Sequence, residues 1–318
     1  LLTNLVDEYV LASVNVINNF TKKELSFFKN KKVNGIILPM CAQDLIDFNV
    51  VRTANKLNIP VYFFKHNGPI EIFRYNDPFV LFLEQNKFLN RLQFIHSDFE
   101  KQSMENISTL NLEVVRHLGI NYKDETNKQK NKKILYAVGS PSRYTLKDLR
   151  GITFDNEKLT FLNALIDYSI ETDSIMSIKA HPRGYEELSN MLIEMKRGIK
   201  DPSKITLIHH KKIEELFNRY DLIVSDTLFS SVVSNALYTN KNILVFCPRK
   251  ECIAHKNYDL LCKRVTLVHD LSELKRIINN LEVKGLRHEN DPEFIDSILG
   301  TLTYSEAIDK ILKTMISK

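Results

Sequence analysis

Residues 221–231 read Asp221-Leu222-Ile223-Val224-Ser225-Asp226-Thr227-Leu228-Phe229-Ser230-Ser231, a short apolar run that ends in a polar turn. A second run of this kind lies earlier in the chain and reads Ser177-Ile178-Lys179-Ala180-His181-Pro182-Arg183-Gly184. Short apolar runs bounded by turn residues are typical of buried strands in parallel sheets. Ligands of open α/β sheets bind beyond the carboxyl ends of such strands. We therefore expect the polar residues after both runs to line one ligand site.

A strand–helix alternation extends this pattern over the C-terminal half of the chain and predicts a parallel sheet. We predict strands at 134–138, 176–180, 205–208, 222–225, 243–247 and 265–268. We predict helices at 159–168, 185–195, 213–218, 230–238, 271–281 and 304–315.

The N-terminal half shows a similar alternation. We predict strands at 33–38, 61–64 and 89–95, and helices at 5–28, 42–57 and 99–118. Residues 121–133 are almost entirely polar and have little to bury, so we interpret them as a linker. The sequence therefore predicts an α/β protein of two Rossmann-like domains, residues 1–126 and residues 127–318.

Composition excludes several classes of protein. The formal net charge of +5 fits an anionic ligand or an anionic membrane surface, but it is too small for a nucleic-acid-binding domain. The four cysteines form no CxxC pair and no metal-ligand spacing, which favours a reducing compartment without structural disulfides. No apolar run reaches the roughly 18 residues of a membrane-spanning helix. We expect a cytoplasmic protein, with peripheral association at the membrane as an option.

Three clusters at strand ends are candidates for phosphate binding. Gly139-Ser140 follows a predicted strand, and glycine there allows close approach of the backbone to a ligand. His181 and Arg183 flank a proline, and an arginine fork donates to two phosphate oxygens at once. Each cluster also has a plain structural interpretation, as a βα turn for the glycine and as a turn or cap for the histidine.

The third cluster is Ser230-Ser231, with Thr227 just before it, at a predicted helix N-terminus. Hydroxyl groups and unpaired N–H groups at such a position bind anions. Serine is equally common there as a plain N-cap. Asp226 allows two interpretations as well, as a ligand for a hydroxyl or as a turn residue.

Beyond these single clusters, the residues between 221 and 246 resemble the donor-binding segment of GT-B glycosyltransferases. The matching features are Ser230-Ser231, Asn235-Ala236, Lys241 and the strand that follows, together with Lys179-Ala180-His181-Pro182. The resemblance is to bacterial surface-polysaccharide transferases with HP and SS motifs. These include sialyl- and polysialyltransferases, Kdo transferases and CDP-glycerol glycerophosphotransferases.

This resemblance implies two Rossmann-like domains that face each other across a cleft, with the last helix crossing back onto the first domain. It also implies that His181, Ser230 and Ser231 contact the CMP part of a nucleotide-activated donor. Asn235 stands where these families have a glutamate that binds the ribose, and Asn240 and Asn242 replace their usual glycine and proline. These departures keep open a UDP- or GDP-sugar transferase, an epimerase of the same fold, and a non-catalytic GT-B-like binding module.

The N-terminal half is predicted to bind the acceptor, a glycan or glycolipid. His66-Asn67-Gly68 resembles the His-Gly of glycerophosphotransferases, which makes His66 a candidate catalytic base. Asp44 and Glu71 are rival bases. His181 is also a catalytic candidate, because an imidazole can protonate a leaving oxygen. The loop Asp155-Asn156-Glu157 is a weak substitute for a DxD motif, so we expect a reaction without a metal ion or a resident cofactor.

Overall fold

The computed structural model describes residues 26–39, 45–64, 92–95, 101, 112–115, 133–139, 153–181, 184–199, 201–209, 211–228, 230–237, 239, 241–250, 255–281 and 302–316. The described residues fall into two compact units. The described residues up to 115 and from 302 onwards form one unit, and those between 133 and 281 form the other. The proposed boundary at residue 126 lies outside the described residues and stays a prediction.

The first unit is a parallel sheet of four strands in the order β1-β2-β3-β4. Residues 26–31 are helical and precede this sheet. The core of the unit forms between the sheet and the helix that joins β1 to β2, with Val51, Val61 and Phe63 almost fully buried. The elements are β1 (Ile36–Pro39), α1 (Leu45–Lys56), β2 (Val61–Phe64), β3 (Leu92–Ile95) and β4 (Leu112–Val114).

The C-terminal helix α7 (Tyr304–Ile316) belongs to this first unit, although it lies far from it in the sequence. Ala307 and Ile311 are its buried residues. The Lys310 ammonium donates to the Val114 carbonyl at 2.8 Å and pairs with the Glu113 carboxylate at 2.8 Å. These contacts bind α7 to the end of β4.

The predicted helix over 99–118 is wrong at its C-terminal part, because residues 112–114 form strand β4. This strand pairs in parallel with β3, and Phe94 lies opposite Glu113. The three-residue sequence Leu-Glu-Val has no spacing that distinguishes strand from helix. The pairing with β3 therefore determines its conformation, as tertiary context often does for weak local preferences.

The second unit is a parallel sheet of six strands in the order β10-β9-β8-β5-β6-β7. The strands are β5 (Lys133–Ala137), β6 (Ile175–Lys179), β7 (Ile205–Ile208), β8 (Leu222–Ser225), β9 (Asn242–Phe246) and β10 (Thr266–Val268). The helices are α2 (Asp155–Glu171), α3 (Tyr185–Lys196), α4 (Ser231–Ala236), α5 (His255–Cys262) and α6 (Leu274–Leu281).

The core of this unit forms where α2 packs on the central strands. The Phe161 ring stacks on Phe246 at 4.6 Å between centroids and meets Tyr136 edge-on at 5.5 Å. The strands β5, β6, β8 and β9 are buried almost throughout, as their continuous apolar runs predict. The predicted α/β fold of parallel sheets is confirmed.

Two smaller differences concern helix type. The predicted helix at 213–218 is two 3-10 turns, Ile213–Glu215 and Phe217–Arg219. The predicted helix at 271–281 begins as a 3-10 turn, Leu271–Glu273. Among the described residues, no helix combines the length and the hydropathy that crossing a membrane requires.

Candidate functional site

The sheet of the second unit reverses its strand order between β5 and β8. The two strands are neighbours in the sheet, with Ala137 opposite Ser225 at their carboxyl ends. The crossovers from β5 lead to β6 and β7 on one side, and the chain continues from β8 to β9 and β10 on the other. Ligands of open α/β sheets bind at such a switch point.

The buried carboxylate of Asp226 links the carboxyl ends of β5 and β8 through hydrogen bonds at the switch point. Asp226 is 0% exposed. One carboxylate oxygen accepts the Tyr136 hydroxyl at 2.6 Å, and the other accepts the Gly139 N–H at 2.7 Å and the Thr227 hydroxyl at 2.9 Å. The backbone carbonyl of Asp226 accepts the Thr153 hydroxyl at 2.7 Å, which brings the chain before α2 to the same place.

Burial changes the acidity of both groups in the Tyr136–Asp226 pair. Burial raises the pKa of the Asp226 carboxyl above its ordinary value, although the Lys158 ammonium and the three hydrogen bonds oppose this shift. Burial also raises the pKa of the Tyr136 hydroxyl well above its ordinary value, and the nearby Asp226 charge adds to the effect. Tyr136 therefore remains a hydrogen-bond donor to Asp226 at neutral pH.

Position 139 accepts only glycine without rearrangement. A Cβ atom there would lie 2.0 Å from the Thr227 hydroxyl oxygen and 2.6 Å from an Asp226 carboxylate oxygen. The close approach predicted for Gly139 is thus an approach to Asp226. The Gly139 N–H, in a cluster predicted to bind phosphate, donates to this carboxylate in the structure.

A cavity of about 430 Å³ lies beside the switch point, at the carboxyl ends of β5 and β6 and between α2 and α3. Gly139 and His181 both line it, so the structure brings these two predicted residues together. Its apolar walls consist of Val138, Leu159, Leu162, Ala180, Leu188 and Met191. Its polar lining includes Asp155, Asn156, Glu187 and the buried Lys158. Sites for small molecules are commonly concave and apolar with a few polar groups, as here.

The predicted serine pair lies at the start of α4. The Ser230 hydroxyl accepts a backbone N–H from the first turn of this helix at 3.2 Å, so Ser230 is an N-cap. Ser231 is exposed, whereas Asn235 is 9% exposed. After α4, the buried Arg264 donates to the carbonyls of Ala236 at 3.3 Å and Lys241 at 3.0 Å. Arg264 therefore holds the end of the segment that carries the serines.

Comparisons with known proteins give structural neighbours only. No family model matches the sequence, and no curated protein is similar to it. A UDP-GlcNAc 2-epimerase from Neisseria meningitidis, solved bound to UDP-GlcNAc, is 13% identical with a TM-score of 0.59 over 96% of this chain and 82% of its own. TarM of S. aureus is 12% identical with a TM-score of 0.51 over 84% of this chain.

A GtfA/B complex is 12% identical with a TM-score of 0.52 over 92% of this chain. These neighbours share an architecture of two Rossmann-like domains. The chain has a GT-B-type fold. It spans 52% of the length of TarM, 60% of the GtfA/B chain and about four fifths of the epimerases.

Within this GT-B fold, the structure separates the predicted donor residues into two groups. Gly139 and His181 line the cavity, and Thr227 lies beside Gly139 through their shared contacts with Asp226. Among the described residues that line the cavity, Ser230, Ser231 and Asn235 do not occur. His209 is exposed, and its ring lies 3.6 Å from the Tyr185 ring.

Several predicted residues of the GT-B site lie outside the described residues. They are His66, Ser140, Arg183 and the rival bases Asp44 and Glu71. Their assigned roles stay predictions. Over the part of the chain that the structure describes, no cluster of His, Cys, Asp and Glu could hold a metal ion.

Sequence reasoning missed three features of the second unit. Tyr136 was missed because it falls inside a predicted strand and is typical of a core residue. Lys158 was missed because it lies next to a predicted helix and is typical of a surface residue. Arg249 was missed although it follows β9 at the same edge of the sheet. Arg249 is a polar residue just after a strand, as His181 and Asp226 are, so the same pattern indicates it as well.

Proposed function

We propose that this protein is a glycosyltransferase that moves a sugar from a nucleotide-activated donor to a surface glycan such as capsule or lipooligosaccharide. One observation carries the proposal. The cavity at the carboxyl ends of β5 and β6 is lined by Gly139 and His181 and lies beside the switch point of the sheet. This is where open α/β sheets bind nucleotides. The GT-B-type fold supports a sugar-nucleotide ligand.

The proposed donor is linked to cytidine, as CMP-sugar. The support is the resemblance of the His181-Pro182 and Ser230-Ser231 motifs to those of cytidine-dependent transferases. In this proposal His181, Arg183, Ser140 and the serine pair surround the phosphate, with Thr227 and Asn235 nearby. Arg183 and protonated His181 would offset the charge that develops on the leaving phosphate. The proposal includes no metal ion and no resident cofactor.

The reaction itself is a substitution at the anomeric carbon. The acceptor hydroxyl oxygen forms a bond to this carbon while the bond from the carbon to the phosphate oxygen breaks. The hydroxyl proton passes to a base of the N-terminal domain, for which His66, Asp44 and Glu71 are the candidates. The electron pair of the broken bond stays on the phosphate, where His181 supplies a hydrogen bond or a proton.

The proposed location is the cytoplasm, with peripheral association at the cytoplasmic face of the membrane as an option. The net charge of +5 would support peripheral contact with anionic lipids. A lipid-linked glycan acceptor would then be within reach of the enzyme.

A second candidate is a UDP-sugar transferase or epimerase. The observation that favours it is that similar solved structures hold UDP or UDP-GlcNAc. A CDP-glycerol-type glycerophosphotransferase is the third enzymatic option and rests on the motifs alone. A non-catalytic GT-B-like module is favoured by Asn235, which is buried at the position of the family glutamate.

Nucleotide binding separates these candidates. The purified chain is heated with CMP, CDP, UMP, UDP or GDP, and the shift in unfolding temperature is recorded. We expect cytidine nucleotides to stabilise the protein most, since a ligand that binds only the folded state raises its stability. A preference for UDP would select the second candidate, and no shift with any nucleotide would contradict the donor site.

The variant His181→Ala then tests the position of the donor. We expect it to lose most of the nucleotide-dependent stabilisation and the transfer of sugar. His209→Ala is the matched control, because His209 is exposed and lies outside the cavity lining. An unchanged response of His181→Ala would remove His181 from the site.

A further inference from the structure

We propose that Arg249 binds a phosphate group of the donor and that Glu157 competes with this phosphate for the guanidinium. The proposal rests on the proposed function, because it adds a residue and a regulating contact to the same donor site. Arg249 follows β9 at the carboxyl edge of the second unit's sheet. Neither Arg249 nor Glu157 has a role in the donor site outlined above.

The Arg249 guanidinium has the geometry that recognises two oxygens of one anion. Nη2 donates to Glu157 Oε1 at 2.8 Å, and Nη1 donates to Glu157 Oε2 at 3.1 Å. The same guanidinium lies 4.3 Å from the centre of the Phe154 ring. Two parallel hydrogen bonds suit a phosphate as well as a carboxylate, and the aromatic contact keeps the fork oriented.

A chain of contacts links Arg249 to the switch point. Phe154 directly follows Thr153, whose hydroxyl donates to the Asp226 backbone carbonyl at 2.7 Å. The Asp226 carboxylate in turn accepts the Gly139 N–H. Arg249 therefore lies at the same edge of the sheet as the predicted donor residues. The same contacts, through Phe154, Thr153 and Asp226, also connect β5 and β8 at the switch point.

The ion pair can exchange one partner for a phosphate. The Arg249 and Glu157 side chains are 24% and 26% exposed, so the pair is partly open to solvent and to small anions. A phosphate of the donor fits the same fork as a carboxylate, because it presents two unesterified oxygens and at least one negative charge. Glu157 also accepts the Phe154 N–H at 2.7 Å, so it keeps a hydrogen bond when Arg249 turns to another anion.

Three variants test this competition by calorimetric titration with CDP and UDP. Arg249→Gln removes the fork and should weaken binding about tenfold or more, a loss typical of a charge-assisted bidentate contact. Glu157→Gln removes the competing charge but keeps an oxygen for the Phe154 N–H, so binding should tighten by about threefold.

The matched control is Arg276→Gln. Arg276 donates to Glu273 at 2.8 Å in the same unit, but both side chains are at least half exposed on the surface. The affinity of Arg276→Gln for CDP and UDP should stay within about twofold of the wild-type affinity. Circular dichroism and thermal unfolding of each variant show whether it is folded before titration.

The outcomes separate this inference from the proposed function. Nucleotide binding that is unchanged in Arg249→Gln, or weaker in Glu157→Gln, overturns the inference and leaves the donor site standing. If the wild type binds no nucleotide, the donor site fails, and inorganic pyrophosphate becomes the probe. Pyrophosphate binding that Arg249→Gln abolishes would support the phosphate site alone. Equal pyrophosphate binding by the wild type and Arg249→Gln, or no binding by either protein, would overturn the phosphate site at Arg249.

Discussion

The backbone N–H of Gly139 donates to the buried carboxylate of Asp226, and this bond of 2.7 Å joins the ends of β5 and β8. In dinucleotide-binding Rossmann folds the first βα turn offers its N–H groups to the ligand's pyrophosphate. Here a carboxylate of the chain accepts one of them. The phosphate in the proposed site must therefore be bound by other donors, of which His181 lines the cavity and Arg249 follows β9, the strand next to β8.

The first prediction concerns Gly139→Ala. The added Cβ would overlap the Thr227 hydroxyl and the Asp226 carboxylate, which lie 2.0 and 2.6 Å from its position. We expect a loss of about 2 kcal/mol or more in the free energy of unfolding, measured in urea. Gly198→Ala is the control, because the nearest atom to a Cβ there lies 3.8 Å away. Equal stability of the two variants would mean that position 139 has room for a side chain.

The second prediction concerns the pH dependence of Asp226→Asn. Burial raises the pKa of the folded carboxyl above the unfolded value of 3.8. The folded protein therefore keeps a proton that the unfolded chain has already released. The stabilisation is complete below the unfolded pKa and is lost as the pH rises through the folded pKa.

Asparagine carries no such proton. We therefore expect the wild type to lose stability relative to Asp226→Asn as the pH rises above the unfolded pKa of 3.8 in urea unfolding. A relative gain of the wild type over this range would mean that its pKa is lowered instead.

The third prediction tests the packing of α7 in the first unit. Ile311 is 5% exposed, and its truncation to alanine should cost about 3 kcal/mol of unfolding free energy. The neighbouring Leu312 is 50% exposed, and Leu312→Ala should cost about 0.5 kcal/mol or less. If Ile311→Ala is as stable as Leu312→Ala, then α7 does not contribute to this core.

The fourth prediction uses the cavity between α2 and α3. Met191 lines it from α3, so Met191→Trp should fill part of its volume and weaken nucleotide binding about tenfold. Ile193→Trp places the same ring on the exposed side of the same helix and should bind as the wild type does. Full affinity in a folded Met191→Trp protein would place the nucleotide outside this cavity.

The strands were the most predictable part of the fold. Predicted strands at 134–138 and 222–225 agree with β5 and β8 within one residue, because both are buried on two faces and read as continuous apolar runs. The short strand β4 could not be predicted, since its conformation depends on pairing with β3. The start of α2 at Asp155 was also missed, although Glu157 accepts the Phe154 N–H there.

The proximity of residues at the strand ends was predictable, but the hydrogen bonds between them were not. The ends of β6 and β8 were identified from their polar residues, and the structure brings His181 and Gly139 to one cavity. The sequence could not show that Asp226 accepts the Gly139 N–H, because that bond joins residues 87 positions apart. The partner of Arg249 was equally hidden, 92 positions away on α2.

A crystal structure of the complex with the most stabilising nucleotide tests the central claim most directly. We expect the nucleotide at the carboxyl ends of β5 and β6, with its phosphate within about 3 Å of the His181 imidazole. A nucleotide bound at any other place, with His181 not in contact with it, would contradict the proposed donor site.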